Sequence, residues 1–150
     1  MSYEMDEKDL KILDILKQHG DYTTRQIAKK TLLPPTTIHN RIRKLKQEGI
    51  IRRFTVDVDQ DMIGRGLLVY VMISANLAVL KQKKRSQYDI ANELRKFGFI
   101  ERADIVSGGT DLVVMVRVKD VAEFDNVLLN KIQLIEGIEK TQSLIVIHGK

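Results

Sequence analysis

Apolar residues along this chain recur with two different periods, and the change of period marks its organisation. Leu10, Leu13 and Leu16 are spaced for one face of a helix, with Ile12 and Ile15 widening the stripe, Asp6 placed to cap its start and Gly20 at its end. Thr23 and Gln26 form a capping-box pair that opens a second helix through Ile27 and Ala28, which stops around Thr31-Leu32-Leu33. Pro34-Pro35 then forces a fresh start, because proline suits a first helical turn and not a helix interior. In the third helix Ile38, Ile42 and Leu45 make one packing stripe, and Gly49 ends it. Three short, tightly joined helices are predicted.

After residue 50 the period shortens. Residues 51–59 alternate loosely, Phe54, Val56 and Val58 against Thr55, Asp57 and Asp59, which predicts an extended tether able to pair with a neighbour, and 60–66 reads as a hinge. Beyond it come a strand at 67–75, a helix at 86–97, strands at 100–106 and 112–118, a helix at 121–135 and a strand at 138–147. Ser86 with Asp89, and Asp120 with Glu123, cap the two helices, and Gly98 and Gly137 lie beyond their ends. This βαββαβ order predicts a ferredoxin-like domain, an antiparallel sheet with both helices on one face. The expected fold class is therefore α+β: a helix-turn-helix of winged-helix-like type at 1–53, a linker or hinge strand at 54–66, and a ferredoxin-like domain at 67–150.

Both faces of the first strand are apolar, Leu67, Val69, Val71 and Ile73 on one side and Leu68, Tyr70 and Met72 on the other. The third strand repeats this, with Leu112, Val114 and Val116 opposite Val113 and Met115. Two helices cannot cover both faces, so a second copy is expected to bury the other, giving a homodimer. The same strand order builds RNA-recognition domains, but these stack bases on aromatics of the central strands, and residues 112–118 contain none.

Charge changes the picture of the first third. Between Tyr22 and Thr55 there are nine basic residues against one acidic, Glu48, a net of +8, whereas residues 56–150 hold thirteen of each sign. That asymmetry points to a polyanion-binding head on a neutral body. At about 100° per residue, Thr36, Asn40, Arg43 and Gln47 face away from the packing stripe of the third helix, flanked by Thr37 and Lys44 on one side and His39 and Lys46 on the other. Short hydrogen-bonding groups come first and cations later, as a helix entering a DNA major groove requires. Thr36, Thr37, Asn40 and Arg43 are the candidates to read bases, and Arg25, Arg41, Lys44, Lys46, Arg52 and Arg53 those to hold phosphates. The plainer readings are a solvated helix face or a helix docked on a protein partner. A dimer would set two such heads on half-sites about one helical turn, ~34 Å, apart.

Other chemistry finds little purchase. Zero cysteines exclude disulfides, thiolate metal sites and cysteine nucleophiles, and His19, His39 and His148 fall in separate elements without metal-ligand spacing. No apolar run approaches the ~20 residues a membrane helix needs, and the first residues lack the pattern of a signal peptide. A cytoplasmic chain without cofactor or metal, and not an enzyme, is expected.

These residues resemble the Lrp/AsnC family, the feast/famine transcription regulators. The resemblance runs through Leu10-Lys11-Ile12-Leu13, Ile27-Ala28, the stretch from Ile38 to Ile51, Phe54, Asp59 and Gly64, and continues in Gly108-Gly109-Thr110-Asp111 and the final Thr141, Ser143 and Val146. It implies a sequence-specific, dimeric or higher DNA-binding regulator, assembling to an octamer or similar and modulated by an amino acid or related small molecule. An alternative is a subunit resembling sirohaem decarboxylase, which shares this architecture. In the family a Gly-x-x-Asp loop, matched here by Gly108 and Asp111, lies where an amino-acid effector is held between dimers. Gly108, Gly109, Thr110 and Asp111 are thus effector-binding candidates, although by themselves they read as a hairpin turn. Glycines would let backbone amides approach a carboxylate, and Asp111 could pair with an ammonium.

The chain departs from the family twice. Leu32-Leu33-Pro34 stands where Gly-Leu-Ser is usual, which points to an altered turn because leucine tolerates a positive φ poorly, and leaves a capping hydroxyl to Thr36 or Thr37. The basic stretch Lys81-Gln82-Lys83-Lys84-Arg85 is longer than usual; it reads as a solvated loop that could reach an acidic ligand.

Overall fold

The computed structural model describes residues 3–149. The chain divides between Val58 and Asp59 into two compact units.

In the first unit, helix α1 spans Glu7–Gln18, α2 Thr24–Thr31 and α3 Pro35–Gln47. Their starts are built as the capping patterns require. The Asp6 carboxylate accepts the Asp9 amide at 2.9 Å while the Asp9 carboxylate accepts the Asp6 amide at 3.2 Å. Thr23 and Gln26 exchange the equivalent pair of bonds at 3.2 and 2.8 Å. Ile12, Ile27 and Ile38 are fully buried at the centre, with Ile15, Leu16, Tyr22, Ala28, Leu33 and Ile42 packed against them. Leu45 is buried as well. The buried face of α1 is thus centred on Asp9 and Ile12, and Leu10, expected on the stripe, is 51% exposed. The i, i+3, i+6 leucine pattern drifted around the helix, and Ile12, one turn before Leu16, holds the core instead.

The turn from α2 to α3 corrects two expectations. Leu32 adopts the left-handed conformation, φ 57°, so the turn keeps a shape suited to glycine in spite of leucine, at a cost of roughly 1–2 kcal/mol. Neither Thr36 nor Thr37 caps α3: its N-cap is Pro34, with no side-chain hydrogen bond, and the following Pro35 starts the helix by its fixed φ. Residues 48–66 form turns and irregular chain, with no strand assigned.

The second unit is the βαββαβ domain. Strands β1 (Leu67–Ala75), β2 (Ile100–Ile105), β3 (Leu112–Val118) and β4 (Ile138–Ile145) form one antiparallel sheet in the order β2-β3-β1-β4. Two helical segments differ from expectation. A short helix α4, Leu77–Gln82, capped by the Asn76 side chain, occupies what read as loop before α5 (Gln87–Arg95). The helix expected over 121–135 is α-helical only at α6, Val121–Val127, and widens into a π-helical turn, Leu128–Ile132.

Burial alternates strictly along β3: Leu112, Val114, Val116 and Val118 are buried. With Val69, Val71 and Ile73 of β1, and Ile90, Leu94, Phe124 and Ile132 from the helical side, they form the main core. The opposite face carries Tyr70 between Met115 and Leu144, and Met72 between Val113 and Gln142. Tyr70 is 36% and Leu144 48% exposed, so this apolar face is uncovered within one chain.

Candidate nucleic-acid interface and effector loop

The packing of Ile38 and Leu45 inward fixes which residues of α3 look out. Thr36, Asn40 and Arg43 are exposed and Thr37 is half-buried, so the four candidate base-reading side chains lie on or beside one outward face. The N-terminal ends of α2 and α3 meet in a cleft of about 330 Å³ lined by Thr24, Arg25, Pro35, Thr36, His39 and Asn40. Arg25 therefore shares this cleft with Thr36 and Asn40 although it is distant from them in sequence. His39 joins them there. The sequence placed it on the flank of the outward face, and the meeting of two helix starts makes it part of the cleft.

The expected phosphate contacts divide. Arg25, Arg43, Arg52 and Arg53 are exposed and make no ion pair among the described residues. Lys46 is exposed, with its ammonium 5.4 Å from the Phe54 ring centre, and Lys44 pairs with Glu48 at 3.0 Å one turn on. Such i, i+4 surface pairs are weak enough to exchange for another anion. Arg41 departs from the expectation. Its guanidinium turns back to α1, bonding the Asp6 carboxylate at 2.6 Å and the Asp9 carboxylate at 3.1 Å. The bond to Arg41, with the Asp9 amide adding to it, holds the Asp6 carboxyl below the usual carboxylate range.

The loop between β2 and β3 is a fastened hairpin. Gly108 has φ 143°, a conformation that side chains rarely adopt. The Thr110 hydroxyl donates to the Ile73 carbonyl at 2.9 Å. Both Asp111 carboxylate oxygens are already engaged, one by the Ala75 amide at 2.8 Å and one by the Gln87 side-chain amide at 3.2 Å. Asp111 thus anchors the loop to the end of β1, where the pairing with β4 shifts register, while each carboxylate oxygen, holding one hydrogen bond, keeps further acceptor capacity. Gly109 and Thr110 do line a cavity of about 330 Å³, together with Met72, Ser74, Lys140 and Gln142. The cation of that cavity, Lys140 on β4, was missed because nothing in the sequence pairs it with residues thirty positions away. The basic stretch at 81–85 is also less free than it read: Lys83 pairs with Glu136 at 3.4 Å, and Arg85 with Glu93. Among the described residues no group of three or more acidic, histidine or cysteine side chains could hold a metal.

Residues 5–52 match the winged helix-turn-helix DNA-binding family, and residues 69–149 match the Lrp/AsnC ligand binding domain. The chain belongs to the Lrp/AsnC family. It is a DNA-binding transcriptional regulator of that type with a ligand-binding domain. It is 35% identical to the HTH-type transcriptional regulator FL11 of Pyrococcus horikoshii over 98% of this chain and 92% of that one. With FL11 of Pyrococcus furiosus it shares 34%, covering 95% and 89%. Among solved structures, AsnC of Escherichia coli superposes with a TM-score of 0.84 at 27% identity, covering 98% and 95%. A Neisseria meningitidis transcriptional regulator in complex with L-Met shares the fold, with a TM-score of 0.87 at 23% identity and coverage of 97% and 91%. The sirohaem decarboxylase alternative finds no support among these Lrp/AsnC relatives, which carry the names of regulators. No helix of the described residues is long and apolar enough to cross a membrane.

Proposed function

We propose that this Lrp/AsnC regulator reads its operator with Thr36, Thr37, Asn40 and Arg43, holds phosphates with Arg25, Lys44, Lys46, Arg52 and Arg53, and works as a cytoplasmic, non-enzymatic homodimer that assembles further to an octamer or similar. The observation that carries the reading is the outward face of α3, where Thr36 and Asn40 share one cleft with Arg25 and the unpaired Arg43 is exposed one turn on. Cations at the rim supply affinity without sequence information, and amide and hydroxyl groups at the helix start supply discrimination. The uncovered apolar face at Tyr70, Met115 and Leu144 favours pairing with a second copy, which presents two heads to one duplex.

The ligand is an amino acid or a close relative. Supporting this are the cavity beside the Gly108-Gly109-Thr110-Asp111 loop and the L-Met held by the Neisseria relative. With the Thr110 hydroxyl donated to the Ile73 carbonyl, Lys140 is the side chain offered to a ligand carboxylate, Gly109 lets the ligand approach the loop backbone, Gly108 shapes the turn, and the Asp111 carboxylate keeps acceptor capacity for an ammonium.

Fragments selected from random DNA supply the operator for the test. Asn40→Ala is expected to lose about 1–3 kcal/mol on that site and to relax its sequence preference, with little change on random DNA. Equal losses on both would remove Asn40 from the base-reading set. Calorimetry across the amino acids tests the ligand, and no heat with any of them would refute it.

A further inference from the structure

Arg41 lies between Asn40 and Arg43 on the helix that meets DNA, yet its charge is spent inside the head. Its guanidinium reaches two carboxylates more than thirty residues away, Asp6 at 2.6 Å and Asp9 at 3.1 Å. Asp9 is 1% exposed and cannot be left alone there, since a buried carboxylate without partners is costly. The Tyr3 hydroxyl completes the set, donating to the other Asp9 oxygen at 2.7 Å, and the Lys44 ammonium sits 5.7 Å from the centre of the Tyr3 ring. The segment from Tyr3 to Asp9 is therefore fastened to two successive turns of α3 by polar contacts.

An apolar contact such as Ile12 on Ile38 is non-directional and permits one helix to slide or roll on another. A guanidinium held by two carboxylates has a fixed geometry. We propose that Arg41 is a positioning residue of the recognition helix, forming with Asp6, Asp9 and Tyr3 a polar clasp that sets the angle at which Thr36, Asn40 and Arg43 are presented to DNA. This rests on the assignment of those three residues to base reading. The clasp adds no affinity for phosphate: one arginine of the basic face is neutralised so that its neighbours are aimed.

Two variants separate aiming from phosphate binding. Asp6→Asn keeps an amide oxygen to cap α1 and removes the carboxylate partner that is half exposed, so the head stays folded. In the clasp, this variant is expected to bind its selected operator about three- to tenfold more weakly, with random-DNA affinity unchanged although the chain has lost a negative charge. Arg41→Gln is expected to lower operator affinity by about tenfold or more while the slope of log K against log salt stays that of the parent. Tyr3→Phe should move the same ratio in the same direction by a smaller factor. The proposal is overturned if Arg41→Gln flattens the salt slope by ~1, or if Asp6→Asn strengthens binding to random DNA, for then the guanidinium is a phosphate ligand that Asp6 restrains. Thermal unfolding of Asp6→Asn, Arg41→Gln and the double variant reads the clasp without DNA: non-additive losses are expected, and additive ones contradict it. If the unchanged chain were to show no operator preference, the base-reading assignment would fail, and this cycle would still decide whether the clasp exists.

Discussion

The head and the body of this regulator are held together in opposite ways. The body packs seventeen buried residues around one sheet face, a core with redundancy. The head centres on Ile12, Ile27 and Ile38 and supplements them with hydrogen-bonded charge, including a buried aspartate. A small unit buries too little apolar surface to be secure by packing alone, so directional contacts carry a larger share of its order. Their geometry also serves its task, because a surface that reads bases must be aimed and a core need only be full.

That contrast can be broken by calorimetry. Ile38→Ala and Leu94→Ala remove comparable buried side chains and should each cost about 2–5 kcal/mol. In the head this is most of what a small unit possesses, so Ile38→Ala is expected to melt the DNA-binding unit while the ferredoxin-like domain keeps its transition. Leu94→Ala should lower the body's transition without abolishing it. A single shared loss for both variants would contradict the separation.

Gly137→Ala probes the body's close packing. Gly137 has φ 101°, and a Cβ there would press on Leu80 and Ile90, so a loss of about 2–4 kcal/mol is expected, read from the body's transition alone. Leu32→Gly should act in the reverse direction on the head. Leu32 is 91% exposed and held at positive φ, so glycine relieves strain without opening a cavity and is expected to gain about 1 kcal/mol. A loss instead would mean that the leucine makes contacts in solution that repay its conformation.

Acid sharpens the comparison by the smallest effect. The Asp6 carboxyl lies below its ordinary range because of Arg41, and Asp89 lies below it because of the Ser86 amide and hydroxyl. A depressed carboxyl stabilises the folded state above its unfolded value, near 3.9, and that contribution fades as pH falls through the lower folded value. Both transitions should therefore drop in temperature below about pH 4, with Asp6→Asn flattening the head's profile and Asp89→Asn the body's.

Much of this was legible because it is local. The capping pairs Asp6–Asp9, Thr23–Gln26, Ser86–Asp89 and Asp120–Glu123 are three residues apart, and all four starts fall where those pairs put them. The βαββαβ order and the two apolar faces of β1 follow from period-2 patterning in the same way. Helix α4 was hidden because its Leu77-Ala78-Val79-Leu80 continues the apolar run of β1 with only Asn76 between them. The site was less legible because its partners are distant in sequence: Arg25 with Asn40, Lys140 with Thr110, and Arg41 with Asp9. Nothing in the spacing of a basic helix distinguishes the arginine that stays exposed from the one that turns to its own fold.

The hairpin after β2 has one more consequence. Thr110 and Asp111 are riveted to Ile73 and Ala75 on the strand that runs between β3 and β4. A hairpin so fixed is expected to act as a lever and not as a hinge, passing a push at its tip to the end of the central strand β1 instead of absorbing it in slack at the surface.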